Sequence, residues 1–237
     1  MNIFPDTVEI ITNFIRSRVE DAGSDGVVLG LSGGLDSAVT LSLAVSALGS
    51  GKVTGLIMPF NETESVDLAI NHAKSLSVDT ITINITDIVS SYKDSSSLFS
   101  EKLAEGNLHS RIRMSLLYGH GFSSDSLVIG TSNKSELLIG YYTKWGDGGT
   151  DFLPIGDLYK SQILKLGKSL DIPLEILERK PTAELWPGQT DESDIGFSYL
   201  ELDKILFELE RFSSVSKIAE KTGFSIKEIG KIQDLIR

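Results

Sequence analysis

The chain has 237 residues, enough to bury the core of one large domain or of two small ones. Its 22 basic and 33 acidic residues give a formal net charge of −11, which argues against a broad nucleic-acid surface because phosphate binding needs surplus lysine and arginine. It contains no cysteine, which excludes disulfides, thiolate metal sites and a cysteine nucleophile in this chain.

The N-terminal segment predicts an amphipathic helix rather than a secretory leader. Its apolar residues Val8, Ile11, Ile15 and Val19 recur at helical spacing, and acidic residues stand where a leader would be basic. The longest apolar runs of the chain are strand-sized and broken by Gly, Ser or Asp, so no membrane span is predicted. We therefore expect a cytoplasmic protein with neither membrane nor nucleic-acid partners.

Four short apolar runs alternate with helical segments in the first part of the chain. The predicted strands are residues 27–31, 53–58, 80–85 and 126–130, and the predicted helices are residues 38–48, about 63–76 and 98–118. This alternation implies right-handed crossovers and a mostly parallel sheet with helices on both faces. The expected fold is doubly wound α/β, which binds its ligands at the carboxyl ends of the strands.

The second part of the chain is less regular. Residues 140–154 and 180–196 have no periodicity, and a long loop inside a compact domain is usually functional or mobile. Residues 199–237 predict helices, and no repeat or linker divides the chain, so one domain over 1–237 is expected. Residues 215–229 also read as a helix-turn-helix. Glu228 and the lack of base-reading residues at the start of its second helix favour ordinary helical packing over DNA binding.

The strongest chemical signal is the segment SGGLDS, Ser32 to Ser37, between the first predicted strand and its helix. Two adjacent glycines let backbone N–H groups approach an anion, and the following helix start adds partial positive charge. The acidic side chain of Asp36 suits a Mg²⁺ ion that bridges phosphates. The alternative is a Gly-rich turn with a Ser/Asp cap, but the position at a strand's carboxyl end favours a phosphate site.

This segment resembles the SGGxDS pyrophosphate loop of the N-type ATP pyrophosphatases, and further motifs point to the NAD synthetase family among them. Residues 106–114 resemble its GNxxARxRM, with Ser110 in place of alanine, and residues 130–136 resemble its GTxNKSE. Residues 140–151 resemble its GYxTxxGDGxxD. The segments at 158–160, 181–185 and 189–192 also fit the family pattern, in the family's order.

The resemblance implies an adenine nucleotide alpha-hydrolase-like fold and roles for particular residues. The implied catalytic residues are Asp36, Glu136, Asp151 and Lys160, of which Asp36 and Glu136 would hold Mg²⁺. The implied ATP-binding residues are Gly30, Leu31, Ser32, Gly33, Gly34, Leu35, Asp36, Ser37, Thr131, Lys160 and Thr182. The residues implied to bind deamido-NAD⁺ are Arg111, Lys144 and Asp151.

Each of these residues also has a plainer interpretation. Glu136 is equally well explained as an acid favoured at a helix N-terminus, and Lys160 as a solvated lysine at a helix start. Tyr142 and Trp145 are either stacking surfaces for an aromatic ring or packing residues of their loop. The three histidines form no metal spacing. His72 and His120 are expected at the surface or partly packed, and His109 falls at a variable motif position.

The activity implied by the resemblance is a ligase reaction that forms a carbon–nitrogen bond. ATP adenylates the nicotinate carboxylate of deamido-NAD⁺, and ammonia then displaces AMP to give NAD⁺. Glutamine-using relatives carry a glutaminase domain with a cysteine nucleophile, and this chain has neither that length nor a cysteine. Free ammonia is therefore the expected nitrogen donor. The alternatives are another N-type pyrophosphatase, such as a GMP synthetase subunit, and a non-catalytic adenine-nucleotide-binding protein.

The resemblance also implies a homodimer with the dinucleotide bound near the subunit interface. The helix at residues 8–19 and the long helix ending near Tyr118 are the candidate interface elements. The family usually continues into a basic His-Lys segment near its C-terminus, and this sequence contains no His-Lys pair.

Overall fold

The computed structural model describes residues 3–60, 64–182, 188–211 and 213–236. Within these residues the chain forms a parallel four-stranded sheet with the strand order β3-β2-β1-β4. The strands are β1 (Gly26–Gly30), β2 (Val53–Ile57), β3 (Asp79–Thr82) and β4 (Ser126–Val128). The predicted parallel α/β class is confirmed.

The described residues also form α-helices, some of which cover the two faces of this sheet. They are α1 (Thr7–Ala22), α2 (Leu35–Leu48), α3 (Glu64–Ser75), α4 (Thr86–Ser95), α5 (Lys102–Ser123), α6 (Lys134–Ile139), α7 (Lys160–Ser169), α8 (Leu174–Leu177), α9 (Asp191–Ile195), α10 (Tyr199–Glu210), α11 (Val215–Thr222) and α12 (Ile226–Ile236). Helices α1, α2, α3 and α7 share a core with one face of the sheet, and α4 and α5 share a core with the other face.

Strand β1 shows why both faces of the sheet are covered. Val27 and Leu29 belong to the core on one face, whereas Val28 between them belongs to the core on the other face. All three side chains are buried. Successive side chains of a strand point to opposite faces, so an unbroken apolar run is stable only where both faces are packed.

The structure corrects several predicted boundaries. Helix α4 was not predicted, because only Val89 on it is buried and its sequence is mostly polar. The helix predicted at 98–118 runs instead from Lys102 to Ser123. Helix α2 begins at Leu35 rather than at residue 38, since Gly34 is already its N-cap. The helix predicted at about residues 63–76 is observed as α3 (Glu64–Ser75), and residue 63 lies outside the described residues.

Two predicted strands are shorter than expected. The third ends at Thr82 rather than residue 85, and the fourth ends at Val128 rather than residue 130. After β4, Ile129 makes an isolated parallel bridge with Phe152. The segment 140–154 is irregular as predicted, and this bridge anchors its far end beside the sheet.

The last three helices pack on α6 rather than on the sheet. Their core contains Ile139 of α6 with Leu202, Ile218 and Ile229 from α10, α11 and α12. The segment with the helix-turn-helix pattern therefore uses its apolar faces for this core, as the packing interpretation predicts. No helix in the described part of the chain is both long and apolar enough to cross a membrane.

Candidate active site

A cavity opens at the point where the order in which the chain adds strands to the sheet reverses. From β1 the chain builds outward to β2 and β3, and then it crosses back to place β4 on the other side of β1. The carboxyl ends of β1 and β4 are therefore neighbours, which is the usual ligand position in doubly wound sheets. The cavity at this point has a volume of about 1120 Å³, large enough for a nucleotide.

The Gly-rich turn after β1 forms one wall of this cavity. The hydroxyl of Ser37 donates to the Gly34 carbonyl at 2.9 Å and lies 3.2 Å from the Ser32 hydroxyl. The Gly34 N–H donates in turn to Ser32 Oγ at 3.2 Å. These contacts fold the turn over the start of α2, where unpaired backbone N–H groups and the helix dipole favour an anion.

Gly33 is the residue that this turn requires. Its φ of +74° lies in the left-handed region, and a Cβ atom there would stand 2.2 Å from the Ser65 carbonyl oxygen. We expect Gly33→Ala to lower the free energy of unfolding by about 3 kcal/mol, from left-handed strain plus overpacking, and to weaken ATP binding at least tenfold. Urea denaturation and calorimetric titration with ATP measure the two effects.

Gly23 offers a matched control for this substitution. Its φ is +67°, in the left-handed region, and no atom lies within 4 Å of the position that a Cβ would take. Gly23→Ala should therefore show only the backbone strain, about 1–2 kcal/mol, with ATP binding unchanged. Wild-type ATP affinity in the Gly33→Ala protein would contradict the role given to the turn.

Two carboxylates and one lysine meet at the centre of the cavity. Asp36 lies in the first turn of α2, Glu136 in α6, and Lys160 is the first residue of α7. The Lys160 ammonium bonds to the Asp36 carboxylate and lies 3.8 Å from Glu136 Oε1. Lys160 is only 7% exposed, so it is not a solvated surface lysine. Asp36 and Lys160, which are 124 positions apart in sequence, thus share one charged cluster.

Local hydrogen bonds hold Glu136 in place. Asn133 and Glu136 form a capping box at the start of α6: the Glu136 N–H donates to Asn133 Oδ1 at 3.0 Å, and the Asn133 N–H donates to Glu136 Oε2 at 3.2 Å. The Asn133 amide also donates to Asp36 Oδ1 at 3.4 Å. Glu136 therefore fills the helix-capping position and faces the cavity at the same time, so its two interpretations are compatible.

Burial and mutual repulsion set the electrostatics of this cluster. Burial, reinforced by the Asp36 carboxylate, raises the pKa of Glu136 to about 8, against the opposing effect of Lys160. Burial alone would lower the pKa of Lys160, but the two carboxylates overcome it and raise that pKa above its usual value. The lysine thus stays charged and neutralises carboxylates that would otherwise repel each other.

The donor set fits a magnesium ion bound together with phosphate. Mg²⁺ is typically held by one or two protein carboxylates plus phosphate oxygens and water. Asp36 and Glu136 supply two such carboxylates to one point. The described residues contain no group of three or more His, Asp or Glu side chains that would hold a metal by themselves. The ion therefore fits here as a partner of the nucleotide rather than as a resident structural metal.

Asp203 on α10 positions the two helix starts that carry Glu136 and Lys160. It is fully buried, accepts a hydrogen bond from the Ser135 hydroxyl, and accepts another from the Ser161 N–H at 2.8 Å. The Lys160 N–H donates to Ser135 Oγ at 2.9 Å. The C-terminal helices thus support the cavity from outside, which no sequence pattern indicated.

A network of hydroxyl and carboxylate groups extends this cluster. No role was predicted for these groups from the sequence. Tyr199 Oη lies 3.4 Å from Glu136 Oε1 and 3.2 Å from Asp191 Oδ2. Tyr141 Oη lies 3.4 Å from Asp191 Oδ1 and donates to Asp194 at 2.9 Å. Burial raises the pKa of Asp191, with Lys160 opposing it. The motif match at residues 189–192 was the available signal for Asp191.

The remaining residues predicted to bind ATP also line the cavity. Thr131 follows β4, and Thr182 lies at the end of the segment that also brings Arg179 and Lys180 to the wall. These two basic residues were not predicted to be in the site, although they add positive charge where phosphates are expected. Residues 183–185, which complete the motif that begins at residue 181, lie outside the described residues.

The three residues predicted to bind the dinucleotide do not line this cavity. Arg111 Nε donates to the Lys144 carbonyl at 3.2 Å, and the Lys144 ammonium lies 5.6 Å from the centre of the Trp145 ring. Asp151 accepts hydrogen bonds from Tyr118 Oη at 3.0 Å and from the Val128 N–H at 2.7 Å. Burial, together with Asp151, raises the pKa of Tyr118 to about 12, so its hydroxyl remains a donor.

The loop at residues 140–154 contributes to the cavity wall and also carries Lys144 and Asp151, which do not line the cavity. Tyr142, Thr143, Asp147 and Thr150 contribute to the cavity wall. Trp145 is 73% exposed, so it is not a packing residue of the loop. Tyr142 does pack within the loop, because its ring occupies the space where a Cβ on Gly148 would stand.

The histidines take no part in the charged cluster. His72 is buried on α3, which corrects the prediction of a surface or partly packed residue, and its Nε2 lies 3.2 Å from the Ala38 carbonyl oxygen. His109 is buried too and stacks on Phe60 with ring centres 4.2 Å apart. Burial lowers the pKa of both histidines. His120 is partly buried near the end of α5, as predicted.

Comparison with known proteins gives a consistent result over nearly the whole chain. A sequence model of the NAD synthase family matches residues 7–237. The NH(3)-dependent NAD(+) synthetase of Archaeoglobus fulgidus is 48% identical, with 98% of this chain and 99% of that protein covered. An NMN synthetase structure from Francisella tularensis superposes with a TM-score of 0.86 at 35% identity, over 98% of this chain and 92% of that one. An NH3-dependent NAD synthetase from Campylobacter jejuni gives a TM-score of 0.83 at 34% identity, with the same coverage.

Proposed function

Because this chain belongs to the NAD synthase family, we propose that it amidates deamido-NAD⁺ with ammonia at the expense of ATP, giving NAD⁺, AMP and pyrophosphate. The observation that carries the proposal is the convergence of the Gly-rich turn, Asp36, Glu136 and Lys160 in one nucleotide-sized cavity. This arrangement suits cleavage of ATP between its α and β phosphates, where negative charge builds up on the departing pyrophosphate.

The first step forms an acyl-adenylate. A nicotinate carboxylate oxygen bonds to the α-phosphorus, and the bond from that phosphorus to the oxygen of pyrophosphate breaks. In the proposal the Ser32–Ser37 turn and the start of α2 hold the pyrophosphate, and the Lys160 ammonium neutralises charge beside it. Asp36 and Glu136 would hold Mg²⁺, which supplies further charge neutralisation when it is bound.

The second step transfers the acyl group to ammonia. The ammonia nitrogen bonds to the carbonyl carbon, AMP departs, and one proton is released. Arg111, Lys144 and Asp151 would bind the dinucleotide, since their side chains are exposed and do not line the ATP cavity. Asp151 is assigned to this side of the site because it contacts Tyr118 and Val128 rather than the cavity.

Free ammonia is proposed as the direct nitrogen donor, from a single catalytic domain. The chain contains no cysteine to act as a glutaminase nucleophile, and relatives of matching length are ammonia-dependent synthetases by name. The test supplies purified protein with deamido-NAD⁺, Mg²⁺, ATP and either ammonium or glutamine freed of ammonia. We expect NAD⁺ and pyrophosphate only with ammonium. Robust turnover with glutamine would refute the nitrogen source, and no turnover with ammonium would refute the function.

A mononucleotide substrate is the second candidate, favoured by the likeness to the F. tularensis NMN synthetase. In that case nicotinic acid mononucleotide would be amidated to NMN at the same cavity. The kcat/KM for the mononucleotide and the dinucleotide, measured side by side, decides between them, and we expect the dinucleotide to be preferred. Xanthosine monophosphate serves as the control substrate for a GMP synthetase activity, and ATP binding without pyrophosphate release would indicate a non-catalytic protein.

A homodimer is proposed on the basis of an exposed apolar surface. Tyr118 and Phe122 on α5 are 40% and 93% exposed, and Ile10 and Phe14 on α1 are 58% and 40% exposed. Phe14 contacts Phe152, whose neighbour Asp151 bonds to Tyr118, so residues 151–152 link the two helices at the β4 edge of the sheet. Exposed apolar patches of this kind mark association sites.

Substituting Phe122 tests this assembly. We expect the wild-type chain to sediment as a dimer and Phe122→Asp to sediment as a monomer, because the charge would be buried without a partner. Leu174→Asp on α8 is the matched control, since Leu174 is 68% exposed but lies away from the α1–α5 surface. A monomeric wild-type protein with full activity would refute the proposal. Cytoplasmic location and the absence of a nucleic-acid partner remain predictions.

A further inference from the structure

One face of α5 supports the loop at residues 140–154, which carries Lys144 and Trp145. The Thr143 hydroxyl donates to Asn107 Oδ1 at 2.8 Å, the Ser110 hydroxyl donates to Asp147 Oδ1 at 2.7 Å, and Arg111 contacts the Lys144 carbonyl. Residues three and four apart on a helix share a face, so these three side chains contact consecutive parts of the loop. The loop's geometry is therefore set by a rigid element.

Ser110 makes the most complete of these contacts. Its hydroxyl donates to the Asp147 carboxylate and accepts from the Asp147 N–H at 3.0 Å, so both hydrogen-bonding functions of the serine are satisfied by one residue. Asp147 Oδ1 also accepts from the Thr143 N–H at 3.0 Å, which closes the turn 143–147. A Cβ on Gly146 would stand 2.4 Å from Ser110 Oγ, so the turn lies directly against the serine.

The turn that Ser110 contacts is strained. Trp145 has a φ of +63°, a left-handed conformation that is unfavourable for a bulky side chain. It nevertheless remains 73% exposed beside Lys144. The Trp145 side chain does not stabilise this conformation by packing, so hydrogen bonds oppose the strain. They include those of Ser110 and Asp147 and the backbone bonds to the Thr143 carbonyl.

We propose that Ser110 is a positioning residue that holds the 143–147 turn so that Lys144 and Trp145 are pre-ordered for the nicotinate dinucleotide. The family pattern that residues 106–114 resemble has alanine at this position, and alanine can make neither hydrogen bond. The part of this inference that concerns the dinucleotide rests on the proposed function. The part that concerns loop order does not depend on it. Ser110 lines the cavity, but both of its hydrogen bonds go to Asp147, so in this proposal it acts through Asp147.

Ser110→Ala is the direct test. We expect the KM for deamido-NAD⁺ to rise about tenfold, while kcat and the KM for ATP stay within twofold, because the ATP cluster at Lys160 is untouched. Hydrogen exchange of the amides at residues 143–149 should be faster in the free variant. Ser115→Ala is the matched control on the same helix, since the Ser115 hydroxyl only donates to the Arg111 carbonyl and lies away from the loop.

A double-mutant cycle tests whether Ser110 acts through Asp147. If it does, Ser110→Ala should add less than twofold to the KM change of Asp147→Ala, because the partner is already absent. The inference would be overturned if the KM changes of the two single substitutions multiplied in the double mutant. It would also be overturned if the amides at residues 143–149 exchanged at the wild-type rate in Ser110→Ala. If the wild-type protein amidates the mononucleotide instead, the same KM comparison on that substrate tests the positioning role of Ser110. The exchange measurement requires no turnover, so it separates failure of this positioning role from failure of the proposed function.

Discussion

Lys160→Met is expected to lower kcat/KM by about a thousandfold and the free energy of unfolding by about 3 kcal/mol. The ammonium is the positive charge that bridges Asp36 and Glu136, and methionine keeps its approximate length while removing that charge. The two carboxylates would then face each other in a buried site. Steady-state kinetics and urea denaturation measure the two effects, and thermal shift with Mg²⁺ and ATP reports how far the ligands restore stability.

Lys168→Met provides the control for this substitution. Lys168 lies on the same helix, is exposed, and contributes no atom to the cavity wall. We expect its activity and stability to match wild type, because removing a solvated lysine changes stability by well under about 1 kcal/mol. Lys160→Met activity within tenfold of wild type would show that the ammonium is a structural counter-ion and not part of the phosphate chemistry.

Asp36→Asn is expected to lower kcat/KM by about a hundredfold and to shift the Mg²⁺ concentration for half-maximal activity upward. Asparagine has nearly the same shape as aspartate, but its neutral amide is a poorer ligand for a hard cation. Lys160 still has Glu136 within 3.8 Å, so the loss of stability should be about 1 kcal/mol, much less than in Lys160→Met. A magnesium titration of the initial rate, with ATP held constant, measures the shift.

Asp157→Asn is the matched control for the metal prediction. The side chain of Asp157 is 98% exposed, and its contact with Lys134 at 3.2 Å is on the surface, where ion pairs contribute little. Its magnesium dependence should equal that of wild type. An unchanged magnesium dependence in Asp36→Asn would exclude this carboxylate as a ligand, whatever happened to the rate.

Local rules were sufficient for most of the secondary structure. The apolar run of β1 required cover on both faces, and Ile11, Ile15 and Val19 lie buried along α1, as their spacing predicted. The same rules failed for α4, whose only buried residue is Val89. This helix has only 10 residues, is mostly polar and buries one side chain, so it offered too few apolar positions to be predicted from sequence. His72 was misjudged for a related reason, since only packing against α2 makes it a buried residue.

The site was predictable to the extent that its residues lie in contiguous motifs. The turn 32–37 and the helix start at Glu136 were identified from their own segments. Neither segment indicates that Lys160 bonds to a residue 124 positions earlier, or that Asp203 ties two helix starts together. No local pattern indicated that Arg111, Lys144 and Asp151 do not line the ATP cavity, because this depends on how the loop and α5 are placed in the fold.

The Gly-rich turn itself was predicted from the sequence, whereas its surroundings were not. By itself the sequence determined an α/β fold with a Gly-rich turn at the end of its first strand, because glycine pairs, helix starts and apolar periodicity act over a few residues. Only the tertiary structure decided which charges face that turn and which predicted residues lie outside the cavity. Those contacts form between distant segments, and their free energies depend on burial and on distances that no local pattern specifies.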